Sequence, residues 1–124
     1  MLANNTLYAS LPVKNLDESM KFYGNILGMQ VIDQNENGVW YQSGSSRFVI
    51  YESEFAGTNK GTAAIWEVLD IENTASSLKT RGITFEHFDL PGAKHEGDIH
   101  ILGAFKAVWF KDPSGNTICI SHHL

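Results

Sequence analysis

The chain has a single cysteine, Cys119, so no disulfide can form within it; that fits a reducing compartment and a fold held by apolar burial. No stretch approaches the ~20 apolar residues that a membrane span needs, and the run from Met1 to Asn5 carries no secretory-signal pattern. The reading is a cytoplasmic protein with no membrane partner. Nine Lys and Arg stand against fourteen Asp and Glu, a net charge of −5, and the basic residues are scattered. The electrostatic footprint of a nucleic-acid binder is therefore missing. What is present is ordinary for a globular protein: 43% apolar and 19% charged residues over 124 positions. That length suits a single domain, 1–124, burying roughly two-thirds of its unfolded surface.

One order of features is written twice. From Val13 to Gly28 and again from Val68 to Gly82, a strand end leads into a polar helix cap, a helix and a stopping glycine. Leu7 to Val13 alternates as a strand, with Tyr8, Ser10 and Pro12 on the side opposite Leu11 and Val13. Asn15 stands at the N-cap, and Glu18 has the spacing of a capping-box partner. Leu16, Met20, Tyr23 and Leu27 make one apolar stripe, and Gly28 supplies the left-handed stop. Strands are expected over 29–34, 39–43 and 47–53, separated by Asn37-Gly38 and Ser43-Gly44-Ser45, both hairpin signals.

Residues 54–61, with two glycines and few apolar side chains, read as a linker. Thr62 to Leu69 then begins the second round. Asp70 caps a helix whose stripe is Ile71, Ala75 and Leu78, and Gly82 ends it. Further strands are expected at 83–88, 107–111 and 117–122, the last two joined by the tight turn of Asp112-Pro-Ser-Gly-Asn116. The fold class is α+β: two tandem βαβββ modules, about 6–53 and 62–122, forming a curved mixed sheet around a shared cup. Residues 89–106 lack strong periodicity and read as a lid over that cup, with room for one extra strand.

The 13–29 run, with Phe22-Tyr23 and Leu27-Gly28-Met29, and the segment Phe110-Lys-Asp-Pro-Ser-Gly-Asn116 resemble the vicinal oxygen chelate superfamily, the glyoxalase, bleomycin-resistance and extradiol-dioxygenase group. The resemblance spans nearly the whole chain and implies the two-module fold. It also implies a divalent metal in the cup, held by His, Gln or Glu from the first and last strand of each module. Here those positions carry Tyr8, Tyr51, Ala63 and Cys119. Alanine has no donor, tyrosine is an uncommon ligand, and one thiolate is short of the three protein ligands a zinc-type site wants. No cofactor is expected.

Strand parity places Tyr8, Arg47, Tyr51, Ile65, Glu67 and Cys119 on the face away from the helices, a mixed aromatic and polar lining suited to a small-molecule ligand. Each has a plainer reading. Cys119 is a small buried hydrophobe unless a base activates it. Tyr8 and Tyr51 fill space, Glu67 pairs with Arg47, and Trp66 is core. His95 and His100, with Glu96 and Asp98, match no metal-binding spacing, and His122 and His123 read as a surface tail. Two functions stand. The favoured one is a metal-independent binding protein that sequesters or carries a planar, partly aromatic ligand. The alternative is a lyase, isomerase or dioxygenase using an unconventional metal set, or Glu67 and Cys119 in proton transfer. A homodimer is expected, because a curved sheet with an open edge gains by covering it.

Overall fold

The computed structural model describes residues 1–123. β1 (Ala9–Val13) leads into α1 (Leu16–Met20), which continues as a wider π-helical stretch, Lys21–Ile26. β2 (Gln30–Asn35), β3 (Gly38–Ser43) and β4 (Ser46–Glu52) complete the first unit, a four-stranded sheet in the order β1-β4-β3-β2. β1 and β4 run parallel, the others antiparallel. The second unit opens with β5 (Thr62–Glu67) and α2 (Ile71–Thr80), followed by β6 (Phe85–Glu86), β7 (Lys94–Glu96), β8 (Ile99–Leu102), β9 (Phe105–Lys111) and β10 (Thr117–His123). Its sheet runs β5-β10-β9-β8-β7, with β6 also on β9. Mixed sheets with helices packed on them make the fold α+β; the first unit has the βαβββ order read from the sequence, and the second adds β7 and β8 to it.

Both helices begin where expected. Asn15 Oδ1 accepts the Glu18 amide at 2.9 Å, and Asp70 Oδ1 accepts that of Asn73 at 3.0 Å. The second arm of the first cap comes from a different residue than the spacing suggested: Glu52 Oε1, and not Glu18, takes up an early helix amide, that of Leu16. The first helix also departs from its even stripe. Leu27 N–H donates to Phe22 C=O and Met29 N–H to Tyr23 C=O, each at 3.0 Å. This widening turns adjacent residues inward together, so Phe22 and Tyr23 are both buried. Gly28 then reverses the chain at φ +80°.

The two units share one core. Leu11, Val13, Phe48 and Ile50 meet Ile71, Leu78, Phe110, Ile118 and Ile120 in a single apolar cluster between the sheets and the helices. A polar knot fastens the units at one end. Asp112 Oδ1 accepts the amides of Ser114 and Asn116, while Oδ2 accepts the Asn116 side-chain amide and, at 2.7 Å, the Tyr23 hydroxyl. Asn116 also donates to Pro12 C=O, and Ser114 Oγ accepts the Lys14 amide. The proline-glycine turn thus binds both the end of β1 and the first helix. Burial, and then the adjacent Asp112 carboxylate, push the Tyr23 phenol far above its usual range, so it remains a hydrogen-bond donor. Gly57 lies against this turn at φ +74°, where an added Cβ would stand 2.1 Å from Ser114 O.

Residues 89–106 correct an expectation. Much of the segment is the β7–β8 hairpin, paired to β9 as added strands of the second sheet. The alternation of Ile99, His100 and Ile101 turns the isoleucines to the core side and His100 to the other. His122 and His123 are likewise strand residues and no tail, with His122 Nδ1 2.8 Å from Val68 O.

The knot predicts a graded loss of stability. Tyr23→Phe removes one hydrogen bond to a charged group and should cost about 1.5–3 kcal/mol. Asp112→Ala strips four donors of their acceptor and should cost more than Tyr23→Phe. Urea unfolding of both variants measures the difference, and equal losses would show that the turn is held by other contacts.

Candidate functional site

The face of each sheet turned from the helices is built in rows, and the register gives their composition. On the first sheet Ser10, Val49, Trp40 and Asp33 stand side by side across β1, β4, β3 and β2. The next row holds Arg47 and Gln42, with Tyr8 beside them just before β1. The rings of Tyr8 and Trp40 meet edge to face at 5.4 Å between centroids, and the Arg47 guanidinium lies over the Tyr8 ring at 5.5 Å. Tyr8, Ile32, Asp33, Trp40, Gln42 and Arg47 wall a hollow of about 600 Å³. Tyr8 is 41% exposed in it, so the ring has free surface to offer.

A second hollow, of about 460 Å³, opens between the units where the start of β1 faces β5. Arg47, Ile65 and Glu67 border it with the Ser43–Ser46 turn. Arg47 therefore belongs to both hollows. Glu67 takes a different partner from the expected Arg47: its carboxylate is 3.1 Å from His123 Nδ1. Tyr51 lies on the same face but borders neither hollow.

Cys119 is on the open face by register, in the row Ile65, Cys119, Trp109, Glu86. It lies on a strand flanked on both sides, by β5 and β9, and only 1% of its surface is exposed. Burial pushes the thiol up to about 11, so little of it is thiolate at neutral pH and it is a poor nucleophile. Ala63 is displaced from the expected face. The β5–β10 pairing slips between Thr117 and Ile118, pairing Thr117 with Thr62 and Ile118 with Ala64, and Ala63 packs toward the core. Thr62 takes the open-face place, with its hydroxyl 3.2 Å from Trp109 Nε1.

Neither Thr62 nor Ala63 repairs the ligand set at the four family positions. Tyr8 and Tyr51 stand on one sheet and Cys119 is covered, so these side chains do not fit a divalent metal. Among the described residues no three His, Cys, Asp or Glu side chains come together as a metal-binding group.

Sequence reasoning missed the aromatic and histidine part of the second sheet. His100 and Trp109 meet at 4.9 Å, Phe88 and Trp109 at 5.4 Å, and His95 lies 4.5 Å from His100, centroid to centroid. His100 is fully buried; its Nε2 accepts the Phe88 amide at 2.9 Å, which assigns the proton of the neutral ring to Nδ1. That Nδ1 has no partner. His87 is held by Asp98 at 2.7 Å, which Lys79 also reaches. The signal that would have found this group is the alternation in Ile99-His100-Ile101 beside the turn-forming Gly97.

Three comparisons bear on this geometry. The sequence profile described as Glyoxalase/Bleomycin resistance protein/Dioxygenase superfamily matches residues 6–120. No curated protein matches the chain in sequence. Among solved structures, TnmS3, an antibiotic binding protein from Streptomyces sp. CB03234, is similar over 100% of this chain and 99% of its own, at 19% identity and TM-score 0.75. A glyoxalase family protein from Enterococcus faecalis gives 98% and 99% coverage, 19% identity and TM-score 0.74. Lactoylglutathione lyase from Agrobacterium tumefaciens gives 96% and 93%, 14% and 0.72. At these identities the likeness is one of fold.

Burial first, and then the neighbouring His95, hold the His100 imidazole below its usual range. A histidine with a depressed folded pKa contributes stability above its unfolded value, about 6.5, and that stability is lost as pH falls through the folded value. Thermal melts should therefore show the protein weakening from pH 7 toward pH 5, with the gap between wild type and His100→Gln narrowing over that interval. A constant gap would mean that His100 takes up no proton on unfolding.

Proposed function

Because the chain belongs to the glyoxalase, bleomycin-resistance and dioxygenase superfamily, we propose that it is a cytoplasmic, metal-independent binding protein that sequesters or carries a small planar molecule on its open face. The observation that carries this reading is the corner of Tyr8, Trp40 and Arg47, an aromatic wall left partly exposed beside an open hollow. A core does not need such a wall, and stacking a flat ligand on it removes apolar surface from water. Ile65 and Glu67 extend the lining across the second hollow. The antibiotic binding ascribed to TnmS3, which shares the fold, supports sequestration as the use of such a face. Catalysis draws less support, since Cys119 is covered and Glu67 is an exposed carboxylate beside His123.

We place the chain in a homodimer. The edge strand β2 is exposed along its length, and Leu7 and Leu69 stand almost wholly in solvent. Light scattering at tens of micromolar should give twice the chain mass, and a monomer mass would remove this part of the proposal.

The ligand reading is tested by tryptophan fluorescence against a panel of planar aromatic compounds, since Trp40 is part of the wall. Binding should quench Trp40 emission, and Tyr8→Ala should weaken it by about 1–3 kcal/mol through lost aromatic burial. Tyr51→Ala should have the smaller effect. Dialysis against chelator should leave affinity unchanged; loss of binding on chelation would replace this reading with a metal-dependent one.

A further inference from the structure

We infer that the Tyr8–Trp40 corner selects a planar molecule carrying one negative charge, with Arg47 receiving the anionic group. This rests on the planar-ligand reading above and adds the charge of the ligand to it. The first observation is that Arg47 has no carboxylate partner among the described residues. The ion pairs of the structure use Lys79 and His87 on Asp98, Lys106 on Glu72, and His123 on Glu67. Glu67 borders the same hollow as Arg47, yet its contact is with His123. In a chain of net charge −5, a guanidinium that no described carboxylate contacts, at the meeting of two hollows, is available to an incoming anion.

The second observation is how Arg47 is held. Its guanidinium lies over the Tyr8 ring, and the Tyr8 and Trp40 rings meet edge to face. The contact with the ring face limits the orientations of a long side chain and leaves the planar fork of N–H donors beside the surface on which a flat ligand would stack. A guanidinium of this kind takes carboxylate, sulfonate or phenolate oxygens through charge-assisted hydrogen bonds. Gln42, next to Arg47 in its row, adds an amide to the same wall. The charge limit comes from Asp33, which lines the hollow from β2. Its carboxylate raises the cost of each further negative group on the ligand, so a monoanion is favoured over a dianion.

The test uses anilinonaphthalene sulfonate, whose fluorescence rises on binding, and phenylnaphthylamine, which has the same rings without the sulfonate. The sulfonate should bind about tenfold more tightly than the neutral dye, and in Arg47→Gln the ratio of the two affinities should fall to near one. Sulfonate binding should weaken as salt rises while neutral-dye binding does not, which gives a readout on the wild-type protein should the variant fold poorly. Naphthalene disulfonate should displace the bound dye less well than naphthalene monosulfonate. Phe55→Ser, a change at an exposed apolar residue in the linker, should alter none of these values. Equal binding of both dyes, insensitive to Arg47→Gln and to salt, would overturn the charge selection and leave the planar site standing. Absence of binding by either dye would overturn both.

Discussion

The Asp112 carboxylate is the constraint on which the arrangement depends. Its two oxygens collect the Ser114 and Asn116 amides, the Asn116 side chain and the Tyr23 hydroxyl. Through Asn116 and Ser114 the same turn grips the last residues of β1. A buried charge is tolerated only when its lone pairs are occupied, and here the donors come from the first helix and from the β9–β10 turn. The carboxylate therefore fixes the first unit on the second at one end of their shared core. The sheet faces take their mutual placement from that fastening, with the hollow between the units opening toward the far end of β1.

On the open side the organising fact is register. Because side chains alternate along a strand and align across neighbours, one pairing of β1 with β4 sets Tyr8 beside Arg47, and one pairing of β3 with β2 sets Trp40 beside Asp33. The same logic covers Cys119, flanked in its row by Ile65 and Trp109. Facing the open side is therefore not the same as being accessible. Position in the sheet also decides exposure, and Cys119, on a strand flanked on both sides, is buried where Tyr8 is 41% exposed.

Much of the fold was legible because local signals agreed: Asn15 and Asp70 at the caps, Gly28 and Gly82 at the stops, and alternation in the strands. Parity placed Tyr8, Arg47, Ile65 and Glu67 on the open face. It failed at Ala63, because a one-residue slip in strand pairing leaves no mark in a run of small residues such as Thr62-Ala63-Ala64. The even stripe of the first helix hid the π-helical widening that buries Phe22 beside Tyr23. Residues 94–102 escaped because their strands are short and mix histidine with isoleucine. Pairings such as Glu67 with His123 join residues remote in sequence, and only the assembled sheet brings them together.

The fastening at Asp112 and the wall at Tyr8 use no residue in common, and they stand at opposite ends of β1. Free energy that holds the units together is thus not drawn from the groups that would meet a ligand. Substitutions at Tyr8, Trp40, Gln42 or Arg47 change the chemistry of the hollow while Asp112, Asn116 and Tyr23 keep the scaffold. A protein built this way can change what it recognises without first acquiring spare stability, and the open face is in that sense a surface ready for regrafting.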